Sequence, residues 1–151
     1  MLKVIGLGNE LRGDDAIGPA IIRELAESNL PVALDLINAG ADAFTLLEHL
    51  IGDCPVLIID CARMGKSPGV VLKFNIKDAQ FKAIENSVSL HGFGFSEVLA
   101  MAGKMGKVAD CTVIGVEPKT VEFGKELSDE VRARIPSIVQ MVIEEAKSYG
   151  G

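Results

Sequence analysis

Asp15, Asp60 and His91 are three side chains of the right types to hold a transition-metal cation between them. Two carboxylates and one imidazole form a mixed oxygen and nitrogen set. That set suits nickel, iron or zinc better than calcium or magnesium. Three protein ligands leave coordination positions open for water or for atoms of a substrate. Each residue also has a plain structural alternative. Asp15 could cap a helix, Asp60 could accept from amides of the turn after it, and His91 could be an ordinary polar loop residue. Spacing along the chain does not choose between these readings.

Other chemistries fit less well. A cysteine–histidine pair would have to be Cys61 with His91, and Cys61 reads more simply as a small buried hydrophobe. The strained Gly-x-Ser-x-Gly elbow of a serine hydrolase is absent from the sequence. Gly6-Leu7-Gly8-Asn9 followed by Gly13 invites a dinucleotide reading, but the third glycine comes five residues after the second. The fingerprint needs it three residues on, at the entry to a helix. Glu10, Asp14 and Asp15 in the same loop would also repel a pyrophosphate. His49 falls in an amphipathic helix and reads as a surface or helix-end residue.

Composition narrows the classes further. The 151 residues suit one compact domain over 1–151, and an apolar fraction of 48% is enough to build its core. A net charge of −6 disfavours nucleic acid and anionic lipid as partners. No apolar run approaches the ~20 residues needed to span a bilayer, so no membrane association is expected. The start, Met1-Leu2-Lys3-Val4-Ile5-Gly6, reads as a strand rather than a signal peptide. Cys54, Cys61 and Cys111 are odd in number and form no Cys-x-x-Cys pair. They imply free thiols in a reducing, cytoplasmic setting.

The elements that must position these residues alternate between strand and helix. Strands are predicted at Met1–Leu7, Val32–Ile37, Pro55–Asp60, Val70–Ile76 and Ala109–Val116. Val56-Leu57-Ile58-Ile59 is apolar on both faces, as a central strand covered by two helix layers should be. A helix starts near Asp15, with Asp14 or Asp15 as its cap and Pro19 in its first turn. A second spans Ala41–Leu50 with Phe44, Leu47 and Leu50 inward, and a third spans Phe95–Gly103. The last begins at a Ser128 cap and runs on with a kink at Pro136. Lys77–Leu90 is ambiguous and Glu117–Leu127 has no periodicity. The expected fold is a three-layer α/β/α sandwich around a twisted, mostly parallel five-stranded sheet. Ligands in such folds bind beyond the carboxyl ends of strands. That rule selects Gly8–Asp15, Asp60–Met64 and Glu117-Pro118.

Four blocks, in order, resemble the hydrogenase maturation protease family. They are Gly6-Leu7-Gly8-Asn9 with Gly13-Asp14-Asp15-Ala16-Ile17-Gly18-Pro19; Leu57-Ile58-Ile59-Asp60-Cys61-Ala62 with Met64-Gly65 and Pro68-Gly69; Ser89-Leu90-His91-Gly92-Phe93-Gly94; and Ile114-Gly115-Val116-Glu117-Pro118. The resemblance implies that Asp15, Asp60 and His91 form the metal site and carry the catalytic role. Family members often carry Glu where this chain has Asp15. A block that begins with Asp in the family appears here as Asn38-Ala39-Gly40, without its carboxylate.

The implied activity is removal of a short C-terminal extension from the precursor of a nickel-containing hydrogenase large subunit, after nickel insertion. The implied metal is nickel already held by the precursor, and zinc or cadmium could occupy the site in vitro. The isolated protein, expected to be a monomer, would then hold little metal tightly. Hydrolysis could use the metal to polarise the scissile carbonyl or acidify a water, or a carboxylate as general base. Leu90 and Phe93 could grip the extension or simply pack at a helix entry. The rival readings are a non-enzymatic nickel-binding accessory protein, and a nucleotide-binding module.

Overall fold

The computed structural model describes residues 1–78, 89–90 and 93–150. Five strands form one sheet: β1 (Leu2–Leu7), β2 (Leu34–Gly40), β3 (Val56–Cys61), β4 (Val71–Asn75) and β7 (Cys111–Val116). Their order is β2-β1-β3-β7-β4, with β4 antiparallel to β7 and the other pairs parallel. The short strands β5 (Ser89–Leu90) and β6 (Phe93–Gly94) pair with each other. The helices are α1 (Ile17–Glu27), α2 (Ala43–His49), α3 (Phe95–Met105), α4 (Asp129–Arg132) and α5 (Ile135–Ser148).

Strand alternation divides the core into two layers. Leu2, Val4, Leu57, Ile59, Ile114 and Val116 pack with Ile17, Ile21 and Leu25 of α1 and Ile138, Val142 and Ala146 of α5. On the other face Ile5, Leu7, Val56, Ile58 and Val113 pack with Leu46 and Leu47 of α2 and Phe95, Val98 and Ala102 of α3. The expected three-layer sandwich is therefore the observed one. β1, β3 and β7 are buried or nearly so along their whole length, which is why their sequences are continuous apolar runs.

Several element boundaries differ from expectation. β2 is an edge strand with a half-buried pattern, so its weak alternation hides its end. It runs on through Asn38-Ala39-Gly40 rather than stopping at Ile37. α2 begins after Asp42, whose carboxylate accepts from the amides of Phe44 and Thr45 and from the Thr45 hydroxyl. Its inward face is Ala43, Leu46 and Leu47, and Phe44 is 63% exposed. Ser128 caps α4 through the Val131 amide, as expected. The final helix is split rather than kinked. α4 ends at Arg132 and Pro136 falls in the first turn of α5, where its missing N–H costs little.

Neither Asp14 nor Asp15 caps α1. A 3-10 turn, Gly13–Ala16, precedes the helix, and neither its own start nor that of α1 has a side-chain cap. Gly18 lets the first turn of α1 descend onto the sheet. A Cβ there would collide with the carbonyl oxygen of Leu7 and stand 2.7 Å from that of Ile59. The helix start thus rests directly on the carboxyl ends of β1 and β3.

Asp14 is 1% exposed and fixes the aperiodic segment after β7. Its carboxylate accepts from the amides of Lys119 (2.8 Å), Thr120 (3.3 Å) and Ser128 (2.7 Å), and from the Ser128 hydroxyl (2.8 Å). Backbone bonds from Asp14 N to Thr120 O, Gly13 N to Lys125 O and Gly124 N to Leu11 O complete the join. β1 and β7 are the two neighbours of β3, so the loops leaving them are tied together around the end of β3.

These contacts set the cost of two substitutions. Gly18→Ala sets a methyl against rigid backbone and should cost about 3 kcal/mol, a fall in Tm on the order of 10 °C for a chain of this size. A Tm within about 2 °C of wild type, roughly half a kcal/mol on the same scale, contradicts the close approach. Asp14→Ala removes the shared acceptor of three part-buried loop amides and should cost roughly 3 kcal/mol. Hydrogen exchange should then quicken at Thr120 and Ser128 and stay unchanged in α2.

Candidate active site

The carboxyl ends of β1, β3 and β7 carry the acidic residues selected from the sequence. Asp60 is the penultimate residue of β3 and 3% exposed. By alternation it lies on the α2 and α3 side with Val56 and Ile58, while Cys61 packs on the α1 and α5 side. Among the described residues, its hydrogen bond comes from the Cys61 amide at 2.8 Å. Burial pushes the Asp60 carboxyl well above the ordinary carboxylate range, and the nearby charge of Asp15 pushes it further. The Cys61 amide opposes them.

Asp15 is half-buried in the 3-10 turn, which packs against β3. Its carboxylate accepts from the Asn9 amide at 2.9 Å. Gly8, at φ +130°, brings the loop close enough that a Cβ would collide with the Asp15 carbonyl. Two carboxylates, one at the end of β3 and one in the 3-10 turn, are thus held within electrostatic reach of each other, the first of them buried. Such a pair either shares a proton or meets a cation.

The loop after β3 is held by a third acid. Glu117, at the end of β7 and 6% exposed, accepts from the amides of Met64 (2.7 Å) and Lys66 (3.0 Å). The strand-end rule selects Glu117-Pro118 by position but gives it no role, and helix-start signals assign Asp14 only a cap. Both are structural acceptors for loop amides. The doubled Asp14-Asp15 carries no local signal for which carboxylate turns inward to the loop and which faces the site. His91 lies outside the described residues, as do 79–88 of the ambiguous segment. Among the described residues, no three His, Cys, Asp or Glu side chains stand close enough to hold a metal ion. Asp15 and Asp60 alone would make only part of such a set.

The rival chemistries lose ground here. Burial, then the charges of Asp60 and Asp15, push the Cys61 thiol far up, which suits a buried hydrophobe and not a nucleophile. Burial likewise pushes Cys111 up to about 12. The amides that would cradle a phosphate are already committed, Gly8 N to Gly40 O at 2.9 Å and Asn9 N to Asp15. His49 ends α2 and lies 3.7 Å from Glu48. No helix among the described residues is long and apolar enough to cross a membrane.

An open cleft of about 590 Å³ lies beside Asp15, lined by Gly8, Asn9, Glu10, Leu11, Asn38, Gly40 and Ala41. Asn38 accepts from the Gly40 amide at 3.2 Å. This cleft opens between the loop after β1 and the end of β2.

Known proteins share this fold. The hydrogenase maturation protease family profile matches residues 19–145. The chain is 34% identical to a putative hydrogenase maturation protease of Methanocaldococcus jannaschii, over 95% of this chain and 86% of that protein. It superposes on the hydrogenase maturating endopeptidase HybD from E. coli with a TM-score of 0.85 at 26% identity, covering 99% of this chain and 93% of that one. The [NiFe] hydrogenase maturation protease HybD from Thermococcus kodakarensis gives 0.78 at 31%, covering 96% and 98%. The family profile and these likenesses show that the chain belongs to the hydrogenase maturation protease family and is an endopeptidase of that family.

Proposed function

We propose that this enzyme removes a short C-terminal extension from a nickel-containing hydrogenase large-subunit precursor once the nickel is in place. Asp15, Asp60 and His91 read the nickel that the precursor already holds. The observation that carries this reading is the state of Asp60. A carboxyl buried at a strand end beside a second carboxylate is disfavoured as an anion. A cation brought between the two acids reverses that penalty, so the site responds to metal on the substrate. The likeness to hydrogenase maturation proteases supports the substrate class.

The chain's own residues have limited and definite tasks. Asp15 is oriented by the Asn9 amide and Asp60 by the Cys61 amide. A carboxylate not committed to the metal can take a proton from water as general base. Glu117 keeps the Met64–Lys66 turn in place beside them. Nickel on the substrate would supply polarisation of the scissile carbonyl. Three free thiols fit action in the cytoplasm, and a single copy of the chain carries all the residues invoked.

Substitution tests the assignment. Asp60→Asn removes a charge that both burial and Asp15 disfavour. It should abolish processing of nickel-loaded precursor, by intact mass, while Tm at neutral pH holds or rises. Asp15→Asn and His91→Ala should each lower the processing rate by roughly a hundredfold or more, the scale of a lost catalytic group. Wild-type processing by Asp60→Asn and His91→Ala would remove the metal-reading site.

A further inference from the structure

Two large apolar side chains stand exposed on the loops that are tied together around β3. Leu11 is 68% exposed and Phe123 is 71% exposed. Their loops are joined beside them, the Gly124 amide donating to the Leu11 carbonyl at 2.9 Å. Phe123 is backed by the Arg12 guanidinium, 5.3 Å from the ring centroid. Arg12 is itself held by a bond from its Nε to Val121 O at 3.3 Å. The Asp14 carboxylate anchors the same two loops from beneath. These are apolar groups presented to solvent by a braced scaffold.

We infer that Leu11 and Phe123 form an apolar anchor on which the hydrogenase precursor docks, taking an apolar patch of the substrate surface beside the segment that enters the cleft. This rests on the proposed function. Leu11 is both half of the anchor and part of the wall of the cleft between the loop after β1 and the end of β2, so the anchor continues that cleft outward. A protein substrate needs such an extension. Specific protein interfaces bury about 800 Å² on each partner, far more than two carboxylates and a cleft mouth present. The surroundings have the form of an interface, an apolar centre with a polar rim. Glu10, Glu122, Lys125 and Glu126 around it are exposed and of mixed sign, so the partner is selected by apolar fit more than by net charge. Arg12 is also of a residue type that concentrates binding energy at interfaces.

The test measures precursor binding and cleavage together, using nickel-loaded precursor with wild type, Leu11→Ser, Phe123→Ser and the double variant. Met105→Ser serves as the control, since Met105 is 65% exposed at the last position of α3 and away from the cleft. The double variant should bind at least tenfold more weakly and raise KM to match. The kcat of Phe123→Ser alone should stay within twofold, Tm should be unchanged in every variant, and Met105→Ser should match wild type. Equal binding by wild type and the double variant, with cleavage intact, overturns the anchor and leaves the protease reading standing. Failure of the wild type to bind or cleave the precursor overturns the functional reading, and the anchor with it.

Discussion

The buried carboxylate of Asp14 is the contact on which the site depends. It gathers the amides of Lys119, Thr120 and Ser128 and the Ser128 hydroxyl, and so joins the loops that leave β1 and β7. Hydrogen bonds to an ionised acceptor are strong, and a buried one left without them would be costly. Those bonds offset the cost of burying Asp14 and of ordering two loops that have no periodicity of their own. Those loops fix Asp15 on one side of β3 and begin α4 on the other, through the same Ser128 that caps it.

Burial makes the neighbouring acids behave differently. Asp14 and Glu117 are buried with several amide donors, and they act as fasteners. Asp60 is buried with one amide from its own following residue and with Asp15 nearby. Its charge is the one left poorly compensated. In a family of endopeptidases, that imbalance is the physical basis proposed for a response to a cation carried by the substrate. Three acids at or beside the ends of adjacent strands thus divide into two that hold the frame and one that is held in tension.

Much of the fold is legible in the chain because β1, β3 and β7 are central, and their continuous apolar runs fit little else than strands covered on both faces. The rule that ligands meet parallel sheets at strand ends selects the segments holding Asp60 and Asp15, and in the structure Asp60 lies at the end of β3 while Asp15 lies in the turn packed against it. The departures were decided by tertiary context. Phe44 fits the inward stripe by spacing alone, but the Asp42 cap starts α2 later and turns that side chain outward. Pro136 could equally kink one helix or open a new one, and the turn after Arg132 chose the second. Asp14 and Asp15 are identical and adjacent, and only the loop after β7, far along the chain, separates their roles. β2 concealed its end because an edge strand need not alternate cleanly.

In the proposed function, two strand-end carboxylates make cleavage depend on metal held by the substrate. The decisive experiment incubates the enzyme with purified large-subunit precursor, either nickel-loaded or empty, and follows the intact mass of the precursor. Loss of a short C-terminal peptide from the nickel-loaded form alone is the expected result. Equal trimming of the empty precursor would contradict it, because Asp15 and Asp60 would then have no cation to read.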